Sequence, residues 1–203
     1  SLPFSRGGGL HIAYRLSMRI TGSEKEALLE LAERAIAEKI SPGELMPGPE
    51  PELTDALKCK CGAFVSVYIK DELRGCIGTF SEEEALYRTV KRMAVSAAVF
   101  DSRFSPVKFH ELAELILEIS VLSPRQRIYD PSEIIIGQHG IFIQQDSSRG
   151  TLLPQVAVNQ NWSVEEFLGI CSKYKAGIGW DGWKAAKIYT FEAIIFRSPA
   201  SSS

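Results

Sequence analysis

The chain has 203 residues, 45% of them hydrophobic, and its 23 basic and 25 acidic residues leave a formal charge of -2. That length supports a sizeable core in one domain, or in one large and one small lobe. The near-neutral balance excludes a global field of the kind that draws a protein onto nucleic acid or an anionic membrane, and no apolar run approaches the roughly 18 to 20 residues that span a bilayer. The start "SLPFSRGGGLHIAYRLSMRI" lacks a signal-peptide layout, so the reading is a cytoplasmic protein with no membrane partner. Residues 1–22 read as an N-terminal tail and 198–203 as a C-terminal one.

The first regular element is expected at Ser23, where Ser23 and Glu26 have capping-box spacing ahead of Ala27, Leu28, Leu31, Ala32, Ala35, Ile36 and Ile40 at helical intervals. Prolines 42, 47, 49 and 51 then enforce a loop. Cys59 and Cys61 follow as C-x-C with no second pair to complete a zinc site, so free thiols and no metal are expected.

"AFVSVYI" reads as a strand buried largely on both sides, and the short polar break Lys70 to Glu72 predicts a hairpin that pairs Val65 to Ile69 with Leu73 to Thr79. Ser81 and Glu84 predict a second capped helix, carrying Leu86, Val90, Met93, Ala94 and Ala97 and ending near Phe100. After the irregular "DSRFSPVKFHEL", strands are expected at "LILEISVLS" and "GIFIQQ", with a turn from Asp146 to Gly150. Pro154 opens a short helix, Ser163 and Glu166 cap another that runs to Gly177, and "KIYTFEAIIF" is a final strand. Such an order does not alternate as a doubly wound sheet does. It predicts an α+β fold with a mainly antiparallel sheet flanked by helices.

The chemistry concentrates in "LRGCIGTF", where Arg74 and Cys76 alternate with Gly75 and sit beside Gly78. Glycine inside a strand marks a bulge or a close backbone approach. A guanidinium beside a thiol favours the thiolate, which makes Cys76 a candidate nucleophile, with His139 in "GQHG" the best acid–base partner. Equally, a buried cysteine packs as a small hydrophobe, Arg74 closes a structural ion pair, and a turn histidine needs no function. A third reading takes the amides around Gly75 and Gly78, the Arg74 guanidinium and the helix start after Ser81 as a cradle for a carboxylate or phosphate.

With these segments in order, the chain resembles the AMMECR domain family. The resemblance rests on "LRGCIG" at 73–78, supported by "DSRFSPV" at 101–107, "HGIFI" at 139–143, "RGTLLPQVAV" at 149–158 and "KAGI" with Trp183, over about residues 23–197. Thr151 stands where the family more often has leucine. The resemblance implies larger and smaller lobes with a cleft near the hexapeptide, and association with Memo-type proteins and radical S-adenosylmethionine enzymes in a modification pathway. It implies no settled activity or cofactor. Two functions follow. In one, Cys76 is a catalytic nucleophile and Arg74 and Arg103 stabilise negative charge. In the other, Arg74, Arg103 and Gln155 bind a small molecule, peptide, nucleotide or modified base while Cys76 packs. The second is favoured because a convincing acid–base partner is missing, and the near-zero charge argues against unaided tight binding of nucleic acid.

Overall fold

The computed structural model describes residues 19–46 and 48–199. His11 and most of the expected N-terminal tail lie outside them. The chain divides into a larger unit, running to Val121 and resuming at Ile194, and a smaller unit, Leu122–Ala193.

In the larger unit, α1 (Gly22–Ile40) is capped two residues earlier than its S-x-x-E spacing indicated. Thr21 Oγ1 accepts from the Glu24 N–H at 3.3 Å, and the Glu24 carboxylate accepts from the Thr21 N–H at 2.8 Å. T-x-x-E competes with S-x-x-E here. It wins because Thr54 Oγ1 also donates to Glu24 at 2.7 Å, tying the cap to the helical turn α2 (Asp55–Lys58). Thr21→Ala is therefore expected to cost about 1 kcal/mol in a denaturant melt while Ser23→Ala costs almost nothing.

The hairpin forms from β1 (Ala63–Ile69) and β2 (Glu72–Thr79), with Lys70 and Asp71 in the left-handed region at φ 51° and 63°. Only one face of β1 is fully buried: Ala63, Val65, Val67 and Ile69 enter the core while Phe64, Ser66 and Tyr68 are half-buried. The alternation marks a covered face and a second, partly open one.

Next comes α3 (Leu86–Val95), which starts after Ala85 without a side-chain cap, so the expected Ser81–Glu84 box does not form. Glu84 instead pairs with Arg92 at 2.8 Å and accepts from Thr89 Oγ1. Leu86, Val90, Met93 and Ala94 bury one stripe of α3, which packs on α1 and β1. The helix ends in a π turn, Ser96–Phe100.

β3 (Leu115–Leu122) pairs antiparallel with β1 and is buried at every position but Glu118. The expected last strand proves to be two. β7 (Lys187–Phe191) belongs to one sheet and β8 (Ala193–Arg197) to the other. The break falls at Glu192, whose N–H donates to Ser123 Oγ and whose carbonyl accepts from the Ser123 N–H, both at 2.8 Å. Just past β8, Ser198 exchanges bonds with Leu117. The larger unit's sheet thus has the order β2-β1-β3-β8.

The smaller unit holds β4 (Gln126–Ile128), β5 (Gly140–Gln145) and β6 (Ser148–Leu152), in the order β4-β7-β5-β6 with antiparallel pairs. The turn expected over 146–150 is tighter, because Ser148 already pairs with Gln145 and Asp146 takes φ 51°. α4 (Pro154–Gln160) opens on its proline, and α5 (Val164–Ile170) carries the Ser163–Glu166 capping box. A π turn, Cys171–Ala176, then closes on left-handed Gly177. Ile141, Ile143, Phe167, Leu168, Cys171 and Ile188 form this unit's core. The architecture is α+β with two antiparallel sheets. Among the described residues, no helix is long and apolar enough to cross a membrane.

Candidate functional site

β2 is an edge strand, and an edge presents unpaired N–H and C=O groups that must find partners. At Cys76 both are filled from the loop after the π turn. The Cys76 N–H donates to Asp101 Oδ2 at 3.0 Å, and the Cys76 carbonyl accepts from Arg103 Nη2 at 2.8 Å. Asp101 also accepts from the Arg103 backbone N–H at 3.2 Å, from Nε at 2.9 Å and from Nη2 at 2.7 Å. The Asp101–Arg103 pair thus stands in for the missing neighbouring strand. The Arg103 guanidinium, and after it the Cys76 N–H, hold the buried Asp101 carboxyl well below the usual carboxylate range.

Arg74 reaches the same segment from a different point on the strand. The register passes from Val67 opposite Gly75 to Tyr68 opposite Leu73, so Arg74 is the extra residue of a β-bulge and leaves the simple alternation with Cys76. Its guanidinium donates to both oxygens of Glu111, at 2.6 and 3.3 Å, and to the carbonyls of Ser105 and Pro106 at 3.1 and 3.4 Å. Glu111 accepts in addition from the Lys108 N–H at 2.8 Å. The carboxyl of Glu111 is pulled down to about 2, first by Arg74 and then by that N–H. Arg74 and Arg103 together pin residues 101–111 along the edge of the sheet.

The two glycines answer to space, since neither has the positive φ that backbone strain would require. Gly75 faces the core, where a Cβ would collide with the carbonyl oxygen of Ala97 in the π turn. Gly78 lies opposite Phe64, whose ring occupies the place of a Cβ. That ring meets Phe80 edge to face at 5.0 Å. Cys76 is half-buried opposite Ser66, and the Ser66 hydroxyl donates to its sulfur at 3.2 Å.

Arg103 is the exposed member of the group, with 62% of its side chain accessible. Nε and Nη2 are held by Asp101 and Cys76, the guanidinium carbon lies 5.4 Å from the centroid of the Phe104 ring, and Nη1 bonds no described residue. The guanidinium is therefore fixed on one side and offers two N–H groups on the other. Chemically, this is a preorganised donor pair suited to a carbonyl, carboxylate or phosphate oxygen.

His139 and Gln155 belong to the smaller unit. His139 Nδ1 accepts from the Ile135 N–H at 3.2 Å, closing the turn before β5, and Nε2 lies 3.9 Å from Glu192. Gln155 is half-buried on the first turn of α4, and its buried Oε1 has no hydrogen-bond partner among the described residues. Of the ligand-holding set read from the sequence, Arg74 and Arg103 lie with Cys76 in the larger unit and Gln155 lies in the smaller one, while Asp101, Glu111 and Ser66 were passed over. Asp101 carried a usable signal: an aspartate that opens a turn accepts from the backbone N–H two residues on, here that of Arg103.

Comparison with known proteins agrees over nearly the whole chain. A protein of Methanosarcina acetivorans is 37% identical over 188 residues, covering 88% of this chain and 93% of the relative. A protein of Pyrococcus furiosus is 38% identical over 194 residues, covering 88% and 90%. The crystal structure of an uncharacterised Pyrococcus horikoshii protein superposes with a TM-score of 0.74 at 35% identity, covering 90% of this chain and 95% of that one. The family model AMMECR1 matches residues 29–196, which take in the braced strand, the 101–111 segment and both sheets, and the chain therefore belongs to the AMMECR1 family.

Proposed function

We propose that this protein is a binding module in which the Cys76 edge of the larger unit recognises a small-molecule or peptide ligand, and that Cys76 is a packing and positioning residue. The observation that carries this reading is the pairing of the charged groups nearest Cys76 on that edge. Arg74 is committed to Glu111 and two carbonyls, and Asp101 to Arg103 and the Cys76 N–H, which leaves the sulfur beside a neutral hydroxyl. A nucleophile needs a group that takes its proton, and these carboxylates are already occupied as acceptors. Recognition, by contrast, needs rigid donors facing outward, and Arg103 Nη1 supplies them. Gly75 and Gly78 serve it by holding the strand in place, and Arg74 by fixing the segment that carries Arg103. Gln155, with its unpartnered Oε1, is a further candidate ligand contact in the smaller unit. In keeping with the family resemblance, the module is proposed to act in a modification pathway with Memo-type and radical S-adenosylmethionine proteins.

The test is a nitrogen-15 NMR titration with inorganic phosphate and, separately, with a blocked dipeptide. Saturable shifts are expected at the Cys76 amide and the Arg103 side chain with at least one probe, retained in Cys76→Ser and lost in Arg103→Ala. If Cys76→Ser abolishes binding as completely as Arg103→Ala, or if neither probe saturates, the reading fails.

A further inference from the structure

Away from this edge, the outer sides of α1 and α3 enclose a groove of about 520 Å³. Ala35 and Val95 give it an apolar floor, Phe100 forms one wall, and Lys39, Lys91 and Arg92 stand with Glu38 at the rim. Phe100 is 62% exposed although it ends a helix that otherwise buries its large apolar side chains well. The π turn explains the exposure. It brings the Ala97 carbonyl up to Gly75 and places the Ala98 carbonyl to accept from the Val107 N–H at 2.8 Å, so the following ring is left on the outside. Lys39 Nζ lies 5.6 Å from the centroid of that ring. A second hollow, of about 600 Å³, shares Glu38 and continues over the end of α1 to Leu45, beside Met46 at 89% exposure.

The groove differs in charge from the chain around it. Three cations face one carboxylate at its rim, in a protein whose formal charge is -2. Arg92 is already paired with Glu84 at 2.8 Å, whereas Lys39 and Lys91 have no carboxylate partner among the described residues. An exposed aromatic wall beside cations matches a ligand that brings an apolar anchor and negative charge on one short stretch of chain. We propose that this groove docks an acidic segment of a protein partner, with a bulky apolar side chain against Phe100, Val95 and Ala35 and its carboxylates over Lys39 and Lys91. The surface shares no side chain with the Cys76 edge, although the π turn adjoins both, and its partner is a macromolecule whatever the ligand of that edge proves to be.

The probe is a short fluorescein-labelled peptide with a central Phe-Leu pair flanked by aspartates and glutamates, followed by anisotropy and by amide shifts in the folded full chain. Saturable binding is expected, with shifts centred on Lys39, Lys91, Ser96 and Phe100. The double variant Lys39→Glu, Lys91→Glu changes only rim side chains and should weaken binding by about tenfold or more, as loss of two charge pairs implies. Phe100→Ala should weaken it without altering the salt dependence. A peptide with lysine flanks should not compete. No saturation, equal binding of the lysine-flanked peptide, or shifts outside the groove would overturn the proposal. So would concentration-dependent self-association abolished by Phe100→Asp, which would give the groove to a second copy of this chain.

Discussion

Gly75→Val is expected to lower the stability of the larger unit by on the order of 3 kcal/mol, the upper end of what overpacking a tight core costs. The cause is positional. A Cβ at Gly75 meets the backbone carbonyl of Ala97, and a carbonyl held in a π turn does not swing aside as a side chain does. Relief requires β2 to move away from that turn. Such a shift also pulls the Cys76 N–H and carbonyl off Asp101 and Arg103, so the loss extends to the edge brace. At Gly78 the obstacle is the Phe64 ring, which can rotate, and Gly78→Val is expected to cost about half as much. Urea unfolding of both variants checks the order. Equal midpoints in Gly75→Val and the parent protein would remove the close-approach argument.

Arg74→Met should cost about 2 to 3 kcal/mol at neutral pH, because it leaves the Glu111 carboxylate and two backbone carbonyls without their charged donor. The cost has a defined pH dependence. Glu111 ordinarily ionises near 4.5 and in the fold is held to about 2, so the unfolded chain binds more protons between those values. Its contribution is complete above the unfolded value and disappears as pH falls through the folded one. Parent and variant should therefore converge in stability as the pH is taken down towards 2, as denaturant titrations at a series of pH values would record. A gap that stays constant across that range would show that Glu111 is not the partner responsible.

Elements whose signals are local were legible in the sequence. The hairpin followed from two apolar runs and a short polar break, and the Ser163 cap from S-x-x-E directly ahead of an amphipathic helix. Local signals failed where a distant contact decided between equivalent choices. Two residues separate the T-x-x-E and S-x-x-E boxes at the start of α1, and Thr54, far along the chain, favours the first. Ser81 and Glu84 have capping spacing, but Glu84 finds a stronger partner in Arg92. The continuous run "KIYTFEAIIF" gave no sign of its division between two sheets, which depends on Ser123 bonding at Glu192.

The same distinction applies at the candidate site. Alternation put Gly75 and Cys76 on opposite faces, and the structure turns the Gly75 face to the core. It gave Arg74 the same direction as Cys76, because a one-residue bulge leaves no mark in a short strand. The partners that define the edge, Asp101 and Glu111, lie 25 and 37 residues further on than the groups they hold. Their role is tertiary, and only the folded chain brings them to β2.

The proposed role of Cys76 is that of a residue in a braced recognition edge, not of an activated nucleophile. The most direct measurement is the rate at which iodoacetamide labels Cys76 in the folded protein near neutral pH, read by mass spectrometry. Cys171 provides the internal zero, since it is fully buried and burial pushes its thiol up to about 12. Cys76 is expected to label no faster than N-acetylcysteine, and Arg74→Met to leave or raise this rate, because Arg74 is held by Glu111. Labelling of Cys76 about tenfold or more above N-acetylcysteine, slowed by Arg74→Met, would contradict it and establish a guanidinium-activated thiolate.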